Sequence, residues 1–365
     1  MTDLNVAATP AATSLAGFLV SADSQPSIAA YCGVLTPAEL DARPAEIEAL
    51  LSGAAVHDLG WLRRVAVRGK DRFRWLSGMV TNMVKDLPPG AGAWNFVLNA
   101  QGRIQGDLAV WSSGEDLELE IAADQVEKLL AHLDRFIIMD DVELDRLEQD
   151  TAIGLTGPRA GEVLARLGLP VLNEPMTQAP AEWEGPVLMR RGFGVLADHY
   201  AIWVTAAHAG GLWRALAAAG AKPVGSAALE AFRIAEGIPA YGVDIMERDL
   251  PQETSQMRAL HFNKGCYQGQ EIVERIRSRG NVHRHLRSLR LDGPLPEPGT
   301  TMTLDGAEAG HITSAAELPL QGVARRLAIG MIRAEAEARN VPLQYMAGDF
   351  TGTAVMLDNL AGVER

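Results

Sequence analysis

Apolar residues between Val56 and Val110 recur at every second position in short runs, "RRVAVRG", "AWNFVLN" and "GDLAVW". Such alternation suits strands with one buried face. The runs flank a helical stretch starting near Lys70, and "PPGAG" and "AQGR" carry turn chemistry. From about 116 to 222 the style repeats. "LELEIA" alternates, "DQVEKLLAHLDRF" repeats its apolar residues at helical spacing, and "YAIWVT" followed by "GLWRALAAAG" predicts another strand and helix. Strands and helices alternate irregularly, without the long βα period of a doubly wound sheet, so the expected class is α+β. Ser226 as N-cap, Gly237 as a left-handed stop and Pro239 just beyond delimit a helix over "AALEAFRIAE". After Arg284 the strands shorten and Gly and Pro become frequent, which predicts a small C-terminal β-barrel with its boundary near 285. Residues 1 to about 30, mostly small and polar without sustained period, read as a disordered tail.

The chain has 365 residues, 47% of them hydrophobic, enough for two or three domains with a sizeable core. No apolar run reaches the roughly 18 residues of a membrane span, and no basic region precedes an apolar block at the start, so no membrane partner is expected and the cytoplasm is the expected location. Two cysteines, Cys32 and Cys266, make neither a disulfide framework nor a zinc pattern, and no metal site is expected. A net charge of −13 argues against direct nucleic-acid binding, so any anion must meet a local basic patch. The nucleotide-binding, zinc-protease and serine-hydrolase signatures are absent from the chain.

Candidate chemistry concentrates in "KGCYQGQEIVERIRSRG". A thiol near a helix start is polarised by unpaired backbone N–H groups, and Lys264 and Arg275 add positive charge, which makes Cys266 a candidate reactive cysteine. The alternative is a small packed thiol. From Arg275 to Arg290 the chain carries six arginines and two histidines, at odds with its overall charge. Such a run is either a solvated face or an anion-binding surface. Asn99 sits in a Gly-containing turn with Asp107 opening the next strand. Arg233 lies on the predicted helix, with Tyr241 and Asp244 on the tight turn that follows, positions suited to a cleft for a planar heterocycle.

Taken together, "KGCYQGQE", "GKDRFRWLSGMVTNMV", "LNAQGRIQGDL" and "FRIAEGIPAYGVDI…LPQET" resemble, in order, the motifs of the YgfZ family. These folate-binding proteins support iron–sulfur cluster maturation and share the fold of the glycine-cleavage T-protein, an aminomethyltransferase. The resemblance implies a T-protein-like arrangement of two α+β folate-binding lobes and a C-terminal β-barrel. The implied divisions are a tail at 1–30, a first lobe at 31–115, a second at 116–222, a return segment with the Cys motif at 223–284, and the barrel at 285–365. It implies tetrahydrofolate as ligand, held by Asn99, Asp107, Arg233, Tyr241, Asp244, Tyr267, Gln270 and Arg275. Cys266 and Lys264 are then the functional pair near the folate pocket, and iron–sulfur client or assembly proteins are the partners. Two departures weigh against aminomethyl transfer. Gly106 replaces the first of two adjacent acids that T-protein relatives carry, and Leu196-Ala197-Asp198 stands where they have a Gly-Glu pair. An accessory factor is therefore the leading expectation, with a tetrahydrofolate-dependent aminomethyltransferase or a non-catalytic folate-binding module as alternatives. Trp61 is the expected fluorescence reporter among seven tryptophans.

Overall fold

The computed structural model describes residues 10–21, 26–280, 282–320 and 323–357. The alternating runs become a five-stranded antiparallel sheet, in spatial order Gly92–Leu98, Ile104–Ser112, Leu117–Ala122, Leu62–Arg68 and Glu143–Arg146. Successive side chains leave a strand on opposite faces, so Leu108, Val110, Leu117, Leu119 and Ile121 share one face. There they bury against Leu76 and Met79 of the helix Arg72–Met79 and Val126, Leu129 and Leu133 of the helix Ala123–Asp134. Each such side chain taken fully from water contributes about 1.5–3 kcal/mol. The residues between them face the other way, with Trp94 opposite Ala109 and Ala109 opposite Glu120.

A second, six-stranded sheet runs Thr177–Glu182, Pro186–Arg191, His199–Thr205, Asp150–Thr156, Ala55–Asp58 and Lys222–Pro223. Only its last pairing is parallel. This sheet corrects the expected division at 116. Strand Leu117–Ala122 and the helix after it complete the five-stranded sheet, whereas the early strand Ala55–Asp58 belongs to the six-stranded one. Val56 pairs with Leu155 and Val65 with Leu119, long-range choices that local alternation does not encode. The expected tail is corrected in part. Helix Ser14–Ser21 buries Leu15, Ala16 and Leu19, and strand Ser27–Tyr31 pairs with Val34–Glu39, while residues 1–9 and 22–25 lie outside the described residues.

The predicted helix spans Ser226–Glu236 and stops at Gly237, whose φ of 65° is left-handed. Ser226 is not its cap. Gly225 holds that position, and the buried Ser226 hydroxyl accepts a hydrogen bond from Thr36. The C-terminal strands close into a six-stranded barrel in the order Arg284–Asp292, Val323–Arg333, Ala307–Leu320, Thr301–Leu304, Leu343–Ala347 and Phe350–Met356. Phe232 and Ile234 of the helix share one core with Leu286, Leu318, Leu327 and Ile329 of the barrel. Among the described residues no helix is long and apolar enough to cross a membrane.

Candidate functional site

The free face of the five-stranded sheet walls a cavity of about 490 Å³. Trp94, Asp107, Trp111 and Glu120 come from that face. Asn82 of the loop between helix Arg72–Met79 and strand Gly92–Leu98, Phe193 of the loop after strand Pro186–Arg191, the turn Ile238–Pro239 and Arg258 complete the wall. Both sheets and the return segment therefore meet here.

Asp107 is the one member of the predicted ligand set that lines this cavity. Its carboxylate accepts from Trp94 Nε1 at 2.9 Å and from Gln125 Nε2 at 2.9 Å. Burial raises its pKa above the usual carboxylate range, and those two hydrogen bonds offset the rise only in part. Glu120 accepts from Arg190 Nη1 at 2.8 Å and Trp203 Nε1 at 3.1 Å, which fixes it to the six-stranded sheet. Arg258 differs from every other charge in the wall. Its guanidinium lies 4.8 Å from the Trp94 ring centre and 3.7 Å from that of Phe193, and its Nε and Nη1 are buried without a hydrogen-bond partner. Burial pushes its pKa down to about 10, against the pull of Glu236 and Asp107.

The other expected ligand residues, apart from Arg275, are held within the fold. Arg233 donates to Glu230, to Asp244 at 2.6 Å, to the Ile238 carbonyl and to Ser314 of the barrel. Asp244, 1% exposed, also accepts from Thr313, Ser314 and the Ala240 N–H. The pair clasps helix, turn and barrel together and stands outside the central cavity, Asp244 bordering a separate one of about 350 Å³. Tyr241 accepts from Lys128 Nζ at 2.8 Å. Its turn reaches the central cavity through Ile238 and Pro239 instead. Asn99 Oδ1 accepts from the N–H groups of Gln101 and Arg103 and so shapes its turn. Trp61 packs edge-on against Tyr31 and does not line the cavity, so Trp94 and Trp111 replace it as expected reporters.

The Cys motif forms a turn of its own. Gly269, at φ 79°, lets the Asn99 carbonyl approach so closely that a Cβ there would lie 2.6 Å from it. Gln270 Oε1 accepts from the Tyr267 N–H at 3.3 Å, and Tyr267 is buried in the core shared with the barrel, its phenol pushed up to about 12 by burial. Cys266 is exposed, four residues ahead of the helix Gln270–Arg279, so its thiol stands on the turn before the helix rather than in its first turn. Lys264 does not serve as its cationic neighbour. The Lys264 Nζ is buried and donates to the carbonyls of Val80 at 2.5 Å and Asn82 at 2.6 Å, and burial pushes it down to about 7. A neutral amine still has two N–H groups for those two carbonyls. Lys264 thus ties the Cys turn to Asn82, a wall residue of the cavity.

The basic run is largely neutralised within the fold. Arg284 pairs with Asp249 and Glu253, Arg287 and His285 with Glu337, Arg290 with Asp292, and Arg277 lies over Phe262 beside Glu274. Arg275 is exposed on the helix surface. The side chain of Arg279 lies outside the described residues. Sequence reasoning missed Arg258, Trp94, Trp111 and Phe193. A lone arginine within the apolar stretch "QMRALHF" was the signal available.

Two sheets meeting at one cavity, followed by a closed six-stranded barrel, make the aminomethyltransferase T-protein fold. The glycine cleavage system aminomethyltransferase T from Bartonella henselae superposes with a TM-score of 0.85 over 96% of this chain and 97% of that one, at 20% identity. The GCVT N-terminal domain model matches residues 36–264, and the chain belongs to that family. A chloroplastic Arabidopsis thaliana protein with a provisional transferase name is 28% identical over 278 residues, 73% of this chain and 63% of that protein's length. The aminomethyltransferase of Geobacillus kaustophilus is 27% identical over 332 residues, 86% of this chain and 90% of that one.

Proposed function

We propose that the protein binds tetrahydrofolate in the central cavity and acts as a folate-dependent accessory factor for iron–sulfur cluster assembly or repair, with Cys266 as its functional thiol. The observation that carries the first half is the cavity wall itself. Trp94 offers apolar ring surface, Asp107 offers a half-buried carboxylate to a ring N–H, and Arg258 offers unused donors. Bound there, tetrahydrofolate would supply its own one-carbon and redox chemistry. Asp107 would orient the ring and hold a proton at its carboxylate, while the aromatic walls exclude water.

The second half rests on the YgfZ-like octapeptide around the exposed Cys266 and on the sealed position of the lost acid. A Cβ at Gly106 would lie 2.7 Å from Gln125 Oε1 and 2.8 Å from Leu129, so no acid fits there without repacking. Where T-protein relatives have a Gly-Glu pair, the N–H groups of Val195 and Leu196 donate at 2.8 Å to Glu236. Aminomethyl transfer is the second reading, favoured by Asp107 in the wall and by the relatives' names.

Titration of the full chain with tetrahydrofolate should quench Trp94 and Trp111 fluorescence. No saturable signal at millimolar ligand ends the folate reading. Tetrahydrofolate-dependent ammonia release from an aminomethyl-lipoyl carrier should be absent; its presence would make the protein a transferase. In cells lacking the endogenous counterpart, Cys266→Ser should fold and bind folate normally yet fail to restore iron–sulfur enzyme activity. Full rescue by that variant would remove the thiol from the mechanism.

A further inference from the structure

We infer that Arg258 reads a hydrogen-bond acceptor on the edge of the bound ring, the 4-oxo group of a reduced pterin, and thereby decides which rings the cavity accepts. The inference rests on the folate reading above and adds a specificity residue to it. Seven buried side-chain nitrogen or oxygen atoms lack a partner among the described residues. Three of them, Arg258 Nε, Arg258 Nη1 and Trp111 Nε1, belong to residues that wall this one cavity, and all three are donors. A buried donor without an acceptor destabilises the fold, so such a cluster marks where a ligand's acceptor belongs.

The neighbours narrow the ligand further. Trp94 bears the Asp107 carboxylate on its ring edge at 2.9 Å and the Arg258 guanidinium over its face at 4.8 Å. An acceptor and a charged donor are thus offered within the width of one indole. A tetrahydropterin carries the complementary pair side by side, with O4 as acceptor and N5–H as donor. Replacing O4 by an amino group would set donor against donor, because the guanidinium is protonated near neutral pH and offers only N–H groups. Phe193 covers the guanidinium at 3.7 Å but is itself 38% exposed, so an entering ring can displace it and take over the stacking contact.

The test compares tetrahydrofolate with its 4-amino counterpart, each titrated by calorimetry into the full-length protein. Wild type should prefer the 4-oxo ring by about 10- to 100-fold, the range for one charged hydrogen bond. Arg258→Met should lose tetrahydrofolate affinity by a similar factor and bind the two rings within about threefold of each other. Arg258→Lys, which keeps charge but not the planar donor edge, should fall between. A wild type that binds both rings equally overturns the inference while leaving the folate reading intact. So does an Arg258→Met protein that keeps the 4-oxo preference. Failure of wild type to bind tetrahydrofolate at all ends the folate reading, and this inference with it. Should Arg258→Met not fold, the wild-type ratio and the Lys variant still decide.

Discussion

Two half-hidden arginines make opposite use of the same chemistry. Arg233, between the return helix and the barrel, meets two carboxylates, a carbonyl and a hydroxyl. Burial works to lower its pKa, but the bond to Glu230 and the charges of Asp244 and Glu230 overcome this and hold it above the ordinary arginine value. In the central cavity Arg258 has two rings and no acceptor for Nε or Nη1, and burial prevails. The difference teaches that fold-building charge arrives with its partners, whereas charge left without them waits for a ligand.

The sharpest way to break this comparison is to delete each guanidinium in turn. Arg233→Met should destabilise the protein by about 3–5 kcal/mol, because Asp244 stays buried without its counter-charge. A fall in the thermal midpoint with lost barrel–helix cooperativity would register it. An unchanged melt would show that the clasp is not structural.

Lys264 gives a smaller effect with a definite sign. Its folded value of about 7 lies below the ordinary 10.5, so the native state releases its proton first as pH rises. Between those values the unfolded chain binds more protons, and stability contributed by this residue increases with pH across that window. Below pH about 7 the buried ammonium is charged in both states and its full cost is present. Denaturation of wild type against Lys264→Met should show this rise only in wild type. Parallel curves for the two proteins would contradict the burial effect.

The smallest change is expected at Arg258. In the ligand-free protein Arg258→Met should stay within about 1 kcal/mol of wild type, because the substitution removes donors that had no acceptor while keeping apolar contact with Trp94 and Phe193. A loss as large as that at Arg233 would turn Arg258 into a structural residue as well.

How much of this was legible in the sequence follows from how far each interaction reaches along the chain. The strands "GDLAVW" and "LELEIA", the stop at Gly237 and the barrel run are local patterns, and each appears in the structure. Asp107, expected to open its strand, lies inside the strand Ile104–Ser112 instead. Partnerships were not legible. Arg233 and Asp244 looked like cleft residues because sequence shows a charge but not its distant partners Thr313 and Ser314. The basic run looked free for the same reason, its acids Asp249, Glu253 and Glu337 lying elsewhere in the chain. Arg258 escaped notice because its environment comes from Trp94, on the five-stranded sheet, and Phe193, on a loop of the six-stranded one.

The strand Ala55–Asp58 carries a consequence for synthesis. It leaves the ribosome before any residue of the five-stranded sheet, yet its neighbours Asp150–Thr156 and Lys222–Pro223 follow only after that sheet's last strand, Glu143–Arg146. This strand, the first made of its own sheet, must therefore wait, edge unpaired, while a complete sheet forms behind it, a situation that invites mispairing. The two sheets are consequently not excisable modules. A cut between them leaves one half without its strand, so a fragment ending after residue 146 should be captured by holdase chaperones through that waiting edge, while the full chain is released from them.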